Sequence, residues 1–161
     1  MANKKLVLSV LDQTPVREGG NASKSIQESL ELAKTCDMLG YRRYWFAEHH
    51  ASPSLAGPAP EIMITRIAAA TKNIRVGSGG VMLGHYSPLK IAETFSVLEN
   101  LYPGRIDLGI GRAPGSDQLT AAALAYGSEV GVEYFPTRVA DLMAFLTNGE
   151  HPTELFNKIK M

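Results

Sequence analysis

Three short stretches carry the residue types that could do chemistry: Glu48-His49-His50, Gly77-Ser78-Gly79-Gly80-Val81 and Gly109-Ile110-Gly111-Arg112. Histidine exchanges protons near neutral pH and a neighbouring carboxylate can orient it, so Glu48 and His49 are candidate acid–base residues. In an extended segment only one of His49 and His50 can face a cleft, and a structural hydrogen-bonding role is the competing reading. The adjacent pair lacks the alternate spacing with which a strand delivers two ligands to one ion, so no metal site is expected. Arg112 offers a guanidinium for a phosphate or carboxylate, with a solvated arginine as the alternative. Gly109-x-Gly111 does not extend to the dinucleotide-binding glycine pattern, nor does a helix follow it directly.

These stretches sit at the ends of short apolar runs. The runs are Leu6 to Leu11, Tyr44 to Ala47, Ile74 to Leu83 and Ile106 to Ile110, and segments of helical periodicity separate them. Ser23 to Leu39 places Ile26, Leu30 and Ala33, and Leu32, Cys36 and Leu39, at helical offsets. It opens on Ser25-x-x-Glu28, a capping box, and stops at Gly40. Pro60 to Thr71 and the segment after Ser87-Pro88 carry proline in the first turn. A fourth helix begins near Pro136, is expected to bury Val139, Leu142, Met143 and Leu146, and ends at Asn148-Gly149. Leu119 to Tyr126 is a small-residue helix candidate, and residues 150 to 161 add at most a short helix. His85 and His151 read as loop residues without a signal.

Strand and helix alternating four times predict an α/β fold with a parallel sheet. A closed (β/α)8 barrel takes about 250 residues, so the 161 residues here correspond to a half barrel, read as one domain over 1–161 with a long βα loop at 112–135. Strand parity puts Gly77, Gly79, Gly109 and Gly111 on one face, and this predicts open space there for a ligand.

Composition removes other classes. Sixteen Lys+Arg balance 16 Asp+Glu, without the basic excess of a nucleic-acid or membrane-surface binder. Cys36 is the only cysteine, so no intrachain disulfide forms, and with no apolar run long enough for a span the expected location is cytoplasmic.

Tyr44-Trp-Phe-Ala-Glu-His-His50, Ile74-Arg-Val-Gly-Ser-Gly-Gly-Val-Met-Leu83, Ser87-Pro-Leu-Lys-Ile-Ala-Glu93 and Pro103-Gly-Arg-Ile-Asp-Leu-Gly-Ile-Gly-Arg-Ala-Pro-Gly115, in this order, resemble the bacterial luciferase-like flavin monooxygenases, in particular their alkanal monooxygenase-like branch. The resemblance runs from about Leu6 to Leu146 and matches the N-terminal half of that family's TIM (β/α)8 barrel. It implies reduced FMN from a separate flavin reductase, dioxygen as co-substrate, and oxygenation of an aldehyde or similar small molecule. It implies His49, after Glu48, as the active-site histidine, and a non-proline cis peptide at Gly79-Gly80 against the flavin ring, with Val81 next to it. Arg112, and less closely Arg138, match arginines at the flavin phosphate, while Gly111 stands where luciferase has a reactive cysteine. A non-catalytic flavin or small-ligand binder and an inactive shortened member are the alternative readings. A half barrel leaves two strand edges and an apolar inner face uncovered, which predicts a homodimer or higher homo-oligomer.

Overall fold

The computed structural model describes residues 6–113, 116–126 and 133–160. Four strands, β1 (Ser9–Asp12), β2 (Arg43–Phe46), β3 (Arg75–Met82) and β4 (Ile106–Gly111), form one sheet in the order β1-β2-β3-β4, with every pairing parallel. Helices α1 (Ala22–Met38), α2 (Pro60–Ala70) and α3 (Pro88–Leu101) connect them; α4 (Gln118–Ala125), α5 (Phe135–Thr147) and a 3-10 turn at Glu154–Lys158 follow β4. The predicted sequence of βα units is the observed one. The Gly127-to-Gly131 part of the long loop and Pro114-Gly115 lie outside the described residues. Among the described residues no helix is long and apolar enough to cross a membrane.

The core lies between one face of the sheet and the helices. Tyr44 and Phe46 from β2, Val76 and Val81 from β3, Ile64 and Ile67 from α2 and Phe95 from α3 are all buried in it. Alternation along the strands sends Arg43, Trp45, Arg75, Gly77, Asp107 and Gly109 to the opposite, inner face. There Asp107 joins three strands: Arg43 Nε donates to it at 3.0 Å and Arg75 Nη2 at 2.6 Å. The two guanidiniums hold the Asp107 carboxyl below its ordinary range, against the opposing effect of burial.

Helix boundaries follow the residues present, with differences from the sequence reading in the cap of α1 and in the buried faces of α1 and α5. The N-cap of α1 is Asn21, whose side chain accepts from the Lys24 amide at 2.9 Å, so Ser25 lies inside the first turn and is buried instead of capping. Only the Ile26, Leu30, Ala33 and Cys36 stripe of α1 meets the core, while Leu32 and Leu39 are exposed. In α5, Leu142, Ala144 and Phe145 are buried and Met143 and Leu146 are exposed, so the helix is rotated from the predicted face. The cause is polar. Asp141 is buried on that face and accepts from Thr153 Oγ1 at 2.7 Å, and His151 Nδ1 lies 3.1 Å from it. His151 lies in the loop after α5, as its position suggested, but it is a buried anchor tilted against Phe145, with ring centroids 4.1 Å apart, and not a residue without a role.

The turn between α2 and β3 is held from both sides. Asp37, at the end of α1, accepts from the amides of Lys72, Asn73 and Ile74 at 2.7, 3.0 and 2.8 Å. Arg105, before β4, donates to the carbonyls of Ile74, Thr71 and Lys72 at 2.6, 3.2 and 2.9 Å. This end of the sheet lies opposite the strand C-termini where the candidate residues gather.

Candidate functional site

The C-terminal end of β3 is irregular. Ser78 pairs with Leu108 and Val81 with Ile110, so Gly79 and Gly80 together stand opposite Gly109 alone, which is a bulge. The Gly79-Gly80 peptide is cis, as the resemblance implies. A Cβ on Gly80 would lie 2.8 Å from backbone atoms of Gly109 and Ile110, so the close approach of β3 to β4 requires glycine there. Ser78 Oγ closes the gap in the ladder by donating to Gly109 O at 2.8 Å and accepting from Gly109 N at 3.1 Å.

The glycine face is not the continuous open cleft that parity predicts. A Cβ on Gly77 would meet Asp107 O and lie 2.8 Å from Trp45 Cζ3, and one on Gly79 would lie 3.0 Å from Leu11 Cδ1 and 3.1 Å from Trp45 Cβ. Gly109 is closed by Ser78 O, with Trp45 Cζ3 at 3.7 Å. The missing side chains thus make room for one indole from the neighbouring strand and for backbone. Gly111 differs: among the described residues a Cβ there would have only the carbonyl oxygens of Gly80 and Val81 nearby, at 3.6 and 3.7 Å. Open space exists at the rim, past the indole.

Beside this rim Glu48 is the organising group. Its side chain is 1 % exposed. Oε2 accepts from the Met82 amide at 3.0 Å, tying the end of β2 to the end of β3. Oε1 accepts from the Tyr86 hydroxyl at 2.6 Å and lies 2.7 Å from His50 Nε2. A buried carboxylate demands such donors, and Glu48 has three. Of the two histidines, it is His50 that joins Glu48; His49 is half-buried beside them. Tyr86 went unrecognised in the sequence, where only the His85-Tyr86-Ser87 position ahead of a helix marks it. Burial, and then donation to Glu48, push the Tyr86 phenol well above its ordinary range, so it stays a donor.

The remaining candidates separate by place. Val81 is buried in the core and pairs with Ile110, so its backbone alone faces the rim. Arg112 is exposed just beyond β4. Arg138, in the first turn of α5, directs Nη1 to the carbonyls of Leu83 and Tyr86 at 3.4 and 3.0 Å, and so fixes the loop that presents Tyr86. A cavity of ≈ 290 Å³ opens between this loop, α2 and α3, lined by Glu48, Glu61, Val81, Tyr86, Lys90 and Phe95 among others.

Residues 7–143 match the model of the luciferase-like monooxygenase family. The N-acetyl-S-alkylcysteine monooxygenase of Bacillus subtilis (strain 168) is 45% identical over 139 residues, which are 86% of this chain and 42% of that protein. The crystal structure of apo-MsnO8 superimposes with a TM-score of 0.85 at 51% identity, covering 93% of this chain and 44% of that one. The oxygenating constituent of 3,6-diketocamphane monooxygenase from Pseudomonas putida shares the fold, with a TM-score of 0.72 at 23% identity over 88% of this chain and 38% of that one. The chain spans less than half the length of each of these proteins, and its four βα units correspond to half of a TIM-barrel-like luciferase fold. The protein belongs to the luciferase-like monooxygenase family.

Proposed function

We propose that this chain provides the oxygen-handling half of a reduced-FMN-dependent monooxygenase acting on an aldehyde or a similar small organic molecule. The observation that carries this reading is the side-chain-free Gly79-Gly80 step beside the buried Glu48–His50 pair, two features joined through the Met82 amide. FMN accompanies the 3,6-diketocamphane monooxygenase constituent in its structure. The residues present fit such a group at the rim: a planar ring needs a surface without projecting side chains, which the open side of Gly111 provides beside the Gly79-Gly80 step, and Arg112 is exposed where a phosphate could meet it.

In this reading Gly79, Gly80 and the Val81 backbone bear the ring, Arg112 meets the phosphate, and Glu48 with His49 and His50 hold and pass protons. When bound, reduced FMN supplies two electrons, so that one atom of dioxygen enters the substrate and the other leaves as water. A separate flavin reductase renews the reduced form. Neither β1 nor β4 has a strand on its outer edge among the described residues, and Leu6, Val7 and Leu8 ahead of β1 and Leu11 within it are exposed. The reading therefore includes a second copy of the chain across these edges, which sedimentation at micromolar concentration tests; a folded monomer would remove that part.

The deciding experiment is titration with oxidised and anaerobically reduced FMN, followed by fluorescence, on protein of known solution mass. Micromolar binding that weakens in Arg112→Ala is the expected result. No binding at about 100 μM, near −5.5 kcal/mol, would overturn it.

A further inference from the structure

Glu48 and His50 come from one segment, but the third member of their cluster arrives from 36 residues beyond His50, in the loop between β3 and α3. Tyr86 Oη is 2.6 Å from Glu48 Oε1 and 3.3 Å from His50 Nε2, so the three polar atoms form a closed triangle. The hydroxyl has one hydrogen, and the shortest contact gives it to Glu48. The Met82 amide fixes the other carboxylate oxygen. With both oxygens held, the carboxylate cannot turn away, and the short contact to His50 requires the hydrogen of that contact to sit on Nε2. Nδ1 of His50 is then the ring nitrogen left to take up or release a proton.

We propose that Tyr86 is the positioning residue of a proton-handling Glu48–His50 pair, holding Glu48 so that His50 keeps its hydrogen on Nε2 and works through Nδ1. The inference deepens the monooxygenase reading at its proton-transfer end and rests on that reading for its use. The loop that brings Tyr86 is itself fixed, because Arg138 Nη1 donates to the Tyr86 and Leu83 carbonyls. The ≈ 290 Å³ cavity is lined by Glu48 and Tyr86 together with Glu61 and Lys90, so it adjoins the same cluster.

The test uses the full chain without flavin, labelled with ¹⁵N-histidine, and long-range ¹H–¹⁵N spectra in which His50 is assigned with His50→Gln. The expected spectrum has a protonated Nε2 and an unprotonated Nδ1 at His50. Tyr86→Phe should leave the fold intact and speed exchange of the Nε2 hydrogen with water about tenfold, the scale of one lost hydrogen bond to a charged group. An unchanged exchange rate in Tyr86→Phe would overturn the proposal. Should that variant not fold, the wild-type spectrum still decides, since a hydrogen on Nδ1 of His50 overturns it without any substitution. Because the sample contains no flavin, this outcome is independent of the FMN titration.

Discussion

The ring of Trp45 lies where Gly77 has no side chain: a Cβ on Gly77 would sit 2.8 Å from Trp45 Cζ3 and still closer to the Asp107 carbonyl. Gly77→Ala must therefore displace both an indole and the backbone of β4, and it should destabilise the protein by about 3 kcal/mol, the upper end for overpacking. Gly111→Ala, with no atom of the described residues nearer than 3.6 Å, should stay within about 0.5 kcal/mol of the parent. Urea denaturation midpoints of the two variants check this, and equal losses would refute the distinction between a filled and an open glycine.

Arg138 and Arg112 should separate by ligand. Because Arg138 holds the carbonyls of Leu83 and Tyr86, Arg138→Ala is expected to weaken FMN and riboflavin by the same factor. Arg112→Ala should weaken FMN by about tenfold or more and leave riboflavin nearly unchanged, as for loss of a charge-assisted contact to the phosphate. Parallel titrations of both flavins with both variants provide the comparison.

Asp37 predicts an acid-dependent contribution to stability. Burial opposes ionisation, but the three amides and Arg105 outweigh it and hold the carboxyl below its ordinary value. A folded-state pKa below the unfolded one means stabilisation that is present above about pH 4, the unfolded carboxylate value, and is lost as pH falls through the lower folded value. Asp37→Asn should cost about 1–2 kcal/mol at pH 7, and the gap between variant and parent should close toward pH 2. Melting curves across that range test the sign.

His151→Ala removes one partner of the buried Asp141 carboxylate, leaving Thr153, and the ring against Phe145. The expected loss is about 3 kcal/mol. Asp141→Asn combined with His151→Ala should cost less than the sum of the two single changes, because the two residues contact each other and the buried charge left short of a donor is gone.

The order of elements was legible because its signals are local. Gly40, Pro60, Ser87-Pro88 and Asn148 mark helix ends through their own backbone preferences, and two-residue parity placed Gly77 and Gly109 on one face of the sheet. What parity cannot state is the occupant of the space a glycine leaves, which here is Trp45 from an adjacent strand. Tyr86 was missed for the same reason: its partner Glu48 is 38 residues away and only the closed fold brings them together. The capping box at Ser25 misled because Asn21, a better-placed acceptor, precedes it by one turn. The rotation of α5 depended on Asp141 finding His151, a pairing that hydrophobic periodicity ignores.

The turn at residues 71–74 presents an unusual case for hydrogen exchange. Its amides at Lys72, Asn73 and Ile74 all end on Asp37 and its carbonyls at Thr71, Lys72 and Ile74 on Arg105, although Lys72 and Asn73 are exposed. Exposed turns ordinarily exchange through small local openings, but this one can release its hydrogens only when Asp37 at the end of α1 lets go, in a turn whose carbonyls Arg105 also holds from the residue before β4. Its deuterium uptake should then follow the slow opening of the whole sheet, reporting from the surface on the cooperativity of the interior.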